Sequence, residues 1–145
     1  MSETTYFKLA LMGMAPLLQV YDMPTSLKFY RNVLGFSVVD SSGEGDNVGW
    51  VLLRLNEVQI MLNTAYEMES RPPSPDPKRI ESHGDTTIYF GCQDINAAYE
   101  NLKLKGVAVN EPEITSYGWE ALNLIDPDGY QLCFQWPLDD SAGVG

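Results

Sequence analysis

Few side chains in this 145-residue chain are equipped for covalent or metal chemistry. It has one histidine, His83, and two cysteines, Cys92 and Cys133, with no CxxC or His-rich spacing that would gather donors. A cysteine nucleophile needs a base or a positive field to lower its thiol pKa. Nine Lys and Arg against twenty Asp and Glu, a formal charge of -11, supply little of either. Cys133 therefore reads as a small, semi-polar wall residue, and His83, at the end of a Pro-rich stretch, as a solvated loop residue. The strand face that carries Cys133 offers no paired carboxylates for acid/base work, and the sequence has no Gly-rich phosphate loop. What the chain does offer is hydrogen bonding and stacking. In DPDGYQLCFQWP, residues 126–137, one strand face carries Gln131, Cys133 and Gln135.

The elements that position such residues are well punctuated. Asp22 precedes MPTSLKFYRNVLG, in which Leu27, Tyr30, Val33 and Leu34 recur at helical spacing, with Pro24 in the first turn and Gly35 at the stop. Asp94 precedes INAAYENLKLKG, with Ile95, Ala98, Tyr99 and Leu102 as the apolar stripe and Gly106 as the stop. A strand-like run leads into each helix, APLLQVY and TTIYFGC, and three more follow it. These are FSVVD, GWVLLRL and VQIMLN after the first, and VAVNEPEI, GWEALNLI and YQLCFQW after the second. Hairpin turns are expected at Asn56-Glu57 and at DPDG. The two helix-start aspartates lie 72 residues apart, so the order βαβββ occurs twice. One domain over 1–145 is expected: module one at about 14–63, a linker at 64–84 holding PPSPDP, module two at about 85–137, and a flexible tail at 138–145.

Splitting each strand by parity separates two faces. One is apolar throughout, for example Leu18 and Val20, Ile60 and Leu62, or Tyr130, Leu132, Phe134 and Trp136. It belongs against the helices. The other carries Gln19, Trp50, Leu52, Arg54, Gln59, Met61 and Asn63 in module one. In module two it carries Thr87, Tyr89, Trp119, Ala121, Asn123, Gln131, Cys133 and Gln135. A solvated face would be richer in Lys and Glu. Amides and aromatics suit a cavity wall, although a wet face or one covered by a partner subunit fits the pattern as well.

Length and charge bound the remainder. A chain this long supports one sizeable core. The acidic balance disfavours phosphate backbones and anionic headgroups, so neither nucleic-acid nor membrane binding is expected. With no signal-peptide pattern and no apolar run of about 18 residues, the reading is cytoplasmic.

The pattern PLLQVYDMPTSLKFYRNVLGF, followed later by DPDGYQLCFQWP, resembles the vicinal oxygen chelate superfamily, from about Met14 to Pro137. Its members include glyoxalase I, extradiol dioxygenases, fosfomycin-resistance enzymes and bleomycin-resistance proteins. The resemblance implies an α+β fold in which two βαβββ modules form a cupped mixed sheet with helices on the outer face. In metal-dependent members fixed strand positions present His, Glu or Gln to the cup. Counted from the helix-start aspartates and the DPDG turn, those positions hold Ala15, Met61, Thr87 and Cys133 here. A catalytic divalent ion needs three or four N, O or S donors converging at about 2 Å, and alanine and methionine do not supply them. No metal and no other cofactor is expected.

The resemblance is nearest in character to the bleomycin-resistance type, which implies a homodimer with pockets between subunits and a sequestered small-molecule ligand. Trp50, Tyr89 and Trp119 would stack a planar guest, and Gln59, Asn63, Gln131 and Gln135 would hydrogen-bond it. A cation could lie over an indole face, whereas Arg54 would favour a carboxylate, so the sign of the ligand stays open. Two other readings remain: a glyoxalase-like lyase, isomerase or dioxygenase with an atypical site, and a structural descendant whose cup is filled by its own side chains.

Overall fold

The computed structural model describes residues 5–138. Eight strands and three helices follow in the order β1 (Leu17–Val20), α1 (Met23–Leu27, continuing as a π-helical segment Lys28–Val33), β2 (Ser37–Ser41), β3 (Trp50–Leu55), β4 (Val58–Thr64), α2 (Pro77–Ser82), β5 (Thr87–Gly91), α3 (Ile95–Leu104), β6 (Glu113–Ile114), β7 (Trp119–Ile125) and β8 (Gln131–Pro137). They form two four-stranded sheets with matching orders, β1-β4-β3-β2 and β5-β8-β7-β6. In each sheet the first strand pairs in parallel with the last, and the remaining pairs are antiparallel. This is the α+β, twice-βαβββ architecture expected from the sequence.

Local chemistry explains the helix boundaries. Asp22 accepts the Thr25 backbone N–H at 3.1 Å, and Asp94 accepts that of Ala97 at 3.0 Å, so each aspartate satisfies a free N–H of its helix's first turn. Gly35 and Gly106 end the helices at φ of 98° and 77°, where a β-carbon would be strained. Asn56, at φ 56°, makes the two-residue β3–β4 hairpin.

The apolar parity set is buried on both sheets: Leu18, Val20, Val51, Leu53, Ile60 and Leu62 from the first, and Phe90, Leu122, Leu124 and Leu132 from the second. With Met23, Leu27 and Tyr30 of the first helix and Ile95 and Leu102 of α3 they form one core spanning both modules. Full burial of each large side chain contributes about 1.5–3 kcal/mol. Trp136 departs from the expected inward set and is exposed, because β8 runs beyond the core at its end.

Two further readings need correction. The run VAVNEPEI is a strand only at Glu113–Ile114, the part that pairs with β7. Pro112, lacking an N–H, stands just before that pairing begins. The stretch 64–84 is also more than a linker, since β4 extends to Thr64 and α2 forms at Pro77–Ser82. The Pro-rich run itself holds the start signal, with Asp76 accepting the Lys78 N–H at 3.0 Å and Pro77 in the first turn. The expected tail lies, from residue 139 on, outside the described residues.

Helix α2 covers the β7–β8 turn, residues 126–129, where it enters module one. Asp126 accepts the Tyr30 hydroxyl at 2.6 Å and the backbone N–H groups of Asp128 and Tyr130. Asp128 accepts the Tyr21 N–H at 2.8 Å, Arg79 Nη1 at 2.9 Å and the Ser26 hydroxyl at 3.3 Å. His83 is thus no solvated loop residue. It is half-buried, its ring stacks on Tyr130 at 4.0 Å, and its Nδ1 lies 2.7 Å from the Asp128 carbonyl oxygen. Burial raises Asp126 above the usual carboxylate value, with the Tyr30 bond opposing that, and burial also raises Tyr30 far above a free tyrosine.

Candidate ligand-binding faces

The second parity set lies on the sheet faces turned away from this core. In module one, Gln19, Asn63 and Trp50 are cross-strand neighbours in one row, Met61 stands between Leu17 and Leu52 in the next, and Gln59 pairs with Arg54 in a third. Asn63 Nδ2 donates to the Gln19 side-chain oxygen at 3.4 Å and to the Thr64 carbonyl at 3.2 Å. With its amide oxygen turned toward Arg54, Gln59 accepts Nη2 at 2.7 Å and Nε at 3.2 Å. Arg54 is exposed, whereas Gln19, Trp50, Gln59, Met61 and Asn63 are half-buried. A half-buried face that retains free amide valences can bind, because desolvation is incomplete until a guest arrives.

In module two the rows are Thr87 with Gln131, Tyr89 with Cys133 and Asn123, and Gln135 with Ala121, while Trp119 sits opposite Pro137. Thr87, Tyr89 and Asn123 are exposed, and Trp119, Gln131 and Gln135 are half-buried. Cys133 is buried as the short side chain between Tyr89 and Asn123, and burial, with the Glu113 charge adding to it, pushes its thiol pKa up. A neutral, covered thiol is a poor nucleophile. Tyr117, from the turn before β7, donates its hydroxyl to the Gln135 side-chain oxygen at 3.3 Å and tilts against Trp119 at 6.4 Å between ring centres. Gly118, at φ 83°, makes that turn possible.

These candidates fall into two groups, one on each sheet. A cavity of about 510 Å³ sits at the end of the module-one face, between Trp50, Asn63, Tyr21, Tyr66, Met68 and Arg71. The stretch after β4 therefore borders this face rather than roofing it. The Tyr21 hydroxyl donates to the Pro72 carbonyl at 2.7 Å, and Arg71 lies over the Tyr21 ring at 4.9 Å while donating to Asp22 at 2.7 Å. The Thr25 hydroxyl, and then Arg71, hold the Asp22 carboxyl below its ordinary value. Sequence reasoning missed Tyr21, Tyr66, Arg71 and Tyr117. Parity did place Tyr21 beside Gln19, but the other three lie outside regular strands and carry no periodic signal.

Ala15 and Met61 are half-buried, Thr87 is exposed and Cys133 is buried. A methyl, a thioether, a hydroxyl and a neutral thiol do not make the donor set of a catalytic Zn, Mn, Ni or Fe(II) site. Among the described residues no three His, Cys, Asp or Glu side chains are grouped to hold a metal ion. No described helix is long and apolar enough to cross a membrane.

A family model described as "Glyoxalase/Bleomycin resistance protein/Dioxygenase superfamily" matches residues 12–134. No curated protein matches the chain significantly. Among solved structures, the bleomycin resistance determinant encoded on the transposon Tn5 is similar with a TM-score of 0.67 at 20% identity, over 88% of this chain and 99% of that one. TnmS3, an antibiotic binding protein from Streptomyces sp. CB03234, has a TM-score of 0.63 at 20% identity, over 90% and 99%. Virulence protein STM3117 from Salmonella typhimurium has a TM-score of 0.60 at 22% identity, over 88% and 98%. At such identities the likeness is one of fold.

Proposed function

This chain belongs to the glyoxalase/bleomycin resistance protein/dioxygenase superfamily, and from that premise we propose that it is a metal-independent small-molecule-binding protein that sequesters an aromatic or cationic compound. The observation that carries the reading is the content of the four positions that correspond to the ligand places of metal-dependent relatives: Ala15, just before β1, and Met61, Thr87 and Cys133 on β4, β5 and β8. The positions around them keep binding chemistry: Trp50, Tyr89 and Trp119 offer ring faces, and Gln19, Asn63, Gln131 and Gln135 offer amides. Two similar structures support the reading by what they are, a bleomycin resistance determinant and an antibiotic binding protein.

In one chain the two candidate faces belong to separate sheets. A homodimer that sets the module-one face of one copy opposite the module-two face of the other would enclose a guest between aromatics from both. The 510 Å³ cavity beside Trp50 is within the usual range of about 300–1,000 Å³ for small-ligand sites. The test is a thermal-shift screen with bleomycin, other planar antibiotics and Ni or Zn salts. A bound guest near 100 times its dissociation constant stabilises the fold by about 2.7 kcal/mol, and Trp50→Ala reduces that shift. No shift with any planar compound would overturn sequestration, and a saturable rise with a metal alone would overturn metal independence.

A further inference from the structure

The sequence leaves the sign of the guest's charge open, and the charges around the module-one cavity decide it. Two cations could draw an anion to this face, and both are already engaged. Arg54 is bonded to Gln59 and stands four residues along β3 from Trp50, about 13 Å away and outside the cavity's lining. Arg71 does line the cavity, but its Nη1 donates to the Asp22 carboxylate at 2.7 Å and to the Tyr21 carbonyl at 3.4 Å. Its guanidinium also takes one face of the Tyr21 ring, 4.9 Å from the centre.

The charge that remains is negative, and the backbone holds it in place. The parallel pairing of β1 with β4 continues past Thr64, where the Ala65 N–H donates to the Val20 carbonyl at 2.8 Å. That brings Tyr66 beside Tyr21, edge to face with ring centres 6.4 Å apart. A short 3-10 turn at Met68–Ser70 follows, closed by the Ser70 N–H on the Glu67 carbonyl at 3.0 Å. It sends the chain back, so that Arg71 reaches Tyr21 and the Tyr21 hydroxyl reaches the Pro72 carbonyl. The segment is thereby tied down on either side of Glu67, Met68 and Glu69, which line the cavity and are exposed. Among the described residues neither glutamate has a salt-bridge partner. Trp50, whose N–H donates to the Ser42 hydroxyl at 3.2 Å, adds an indole to the same lining.

We propose that this cavity takes a small organic cation with an alkylated ammonium head, held against the rings of Trp50 and Tyr66, with Glu67 and Glu69 supplying the counter-charge. Ring faces attract a cation through their quadrupole, and cages of such rings take quaternary ammonium groups for that reason. The chain shows the same chemistry within itself, since Arg71 is a cation on the ring of Tyr21 with the Asp22 carboxylate beside it. The acidic balance of the whole chain adds attraction at longer range. The inference rests on small-molecule binding at the module-one face, proposed above, and not on the homodimer.

Three probes of one shape and different charge test it on the full chain: choline, the neutral 3,3-dimethylbutanol and the anion 3,3-dimethylbutanoate. The readout is the NMR shift of the Trp50 indole N–H. Choline should move it saturably, and the other two should bind at least about fivefold more weakly. The Glu67→Gln, Glu69→Gln double variant should weaken choline by about threefold at low ionic strength and leave the alcohol unchanged. Tyr66→Leu should weaken choline as well. The double variant Glu57→Gln, Glu100→Gln removes the same charge from exposed sites outside the cavity's lining and should change neither. Equal or tighter binding of the alcohol or the anion would overturn the cation and leave small-molecule binding standing. Choline binding that ignores both the Glu67, Glu69 and the Tyr66 variants would place it elsewhere and overturn the proposal. No shift with any of the three would also overturn it, and the planar-antibiotic screen above would then decide whether sequestration falls with it.

Discussion

Replacing Arg79 with Met tests whether the buried junction beneath α2 holds the two modules together. Arg79 and Asp128 form an ion pair at 2.9 Å, with side-chain exposures of 14% and 2%. Without the guanidinium, the Asp128 carboxylate keeps only the Tyr21 N–H and the Ser26 hydroxyl as donors, in a place water hardly reaches. Breaking a buried pair from one side costs about 3–5 kcal/mol, because the remaining charge is uncompensated. For a chain of this size that lowers Tm by about 6–20 °C. Urea unfolding followed by far-UV circular dichroism gives the free energy, with an unchanged slope as the check on two-state behaviour. Asp128→Asn retains an oxygen acceptor for the Tyr21 N–H without the charge, so the double variant should lose less than the two single losses together, by more than about 1 kcal/mol. Arg31→Met is the control, since its partner Asp46 is solvent-exposed and Tm should hardly move. A loss of less than about 1 kcal/mol for Arg79→Met, the range of exposed pairs, or strict additivity with Asp128→Asn, would refute the reasoning.

Other expectations follow from the same geometry. Gly129→Ala, at φ 91° and against the Ile80 carbonyl, should displace α2 and lower Tm strongly, and an unchanged Tm would show that the cover gives way. Tyr30→Phe removes the hydroxyl that donates to Asp126 and should cost about 1–3 kcal/mol by denaturant unfolding. Because burial raises Asp126 above its ordinary 3.8, the folded state keeps that proton to higher pH than the unfolded chain does. Its contribution is fully present below 3.8 and is lost as pH rises through the folded value, so the stability of the parent relative to Asp126→Asn should fall from acid toward neutral pH. A rise instead would contradict the assignment. Burial raises both thiols, and a disulfide-exchange reagent should react first with half-buried Cys92 and later with buried Cys133; the reverse order would place Cys133 in an open site.

Much of this architecture is legible in local chemistry. Asp22 and Asp94 announce the helices, Gly35 and Gly106 end them, and a period of two along β4 and β8 separates Ile60, Leu62 and Leu132 from Gln59, Asn63 and Gln131. The same parity yields the candidate faces, since side-chain direction along a strand is a property of the backbone. It falters at Trp136, where the strand outruns the core, and at Pro112, where pairing had yet to begin.

The way the modules join came from tertiary structure alone. Tyr30 with Asp126, Tyr21 with Asp128 and Gln19 with Tyr130 are hydrogen-bonded across sequence separations of 96, 107 and 111 residues, distances over which no periodic signal operates. His83 reads as a loop residue until the ring of Tyr130 is beneath it, and Asp126 and Asp128 read as turn formers until their carboxylates are found buried. A duplicated pattern establishes two like modules. The junction beneath α2 is filled because the β7–β8 turn leaves five residues between its paired strands, against two at β3–β4, and because Ser26 and Tyr30 supply donors to its carboxylates.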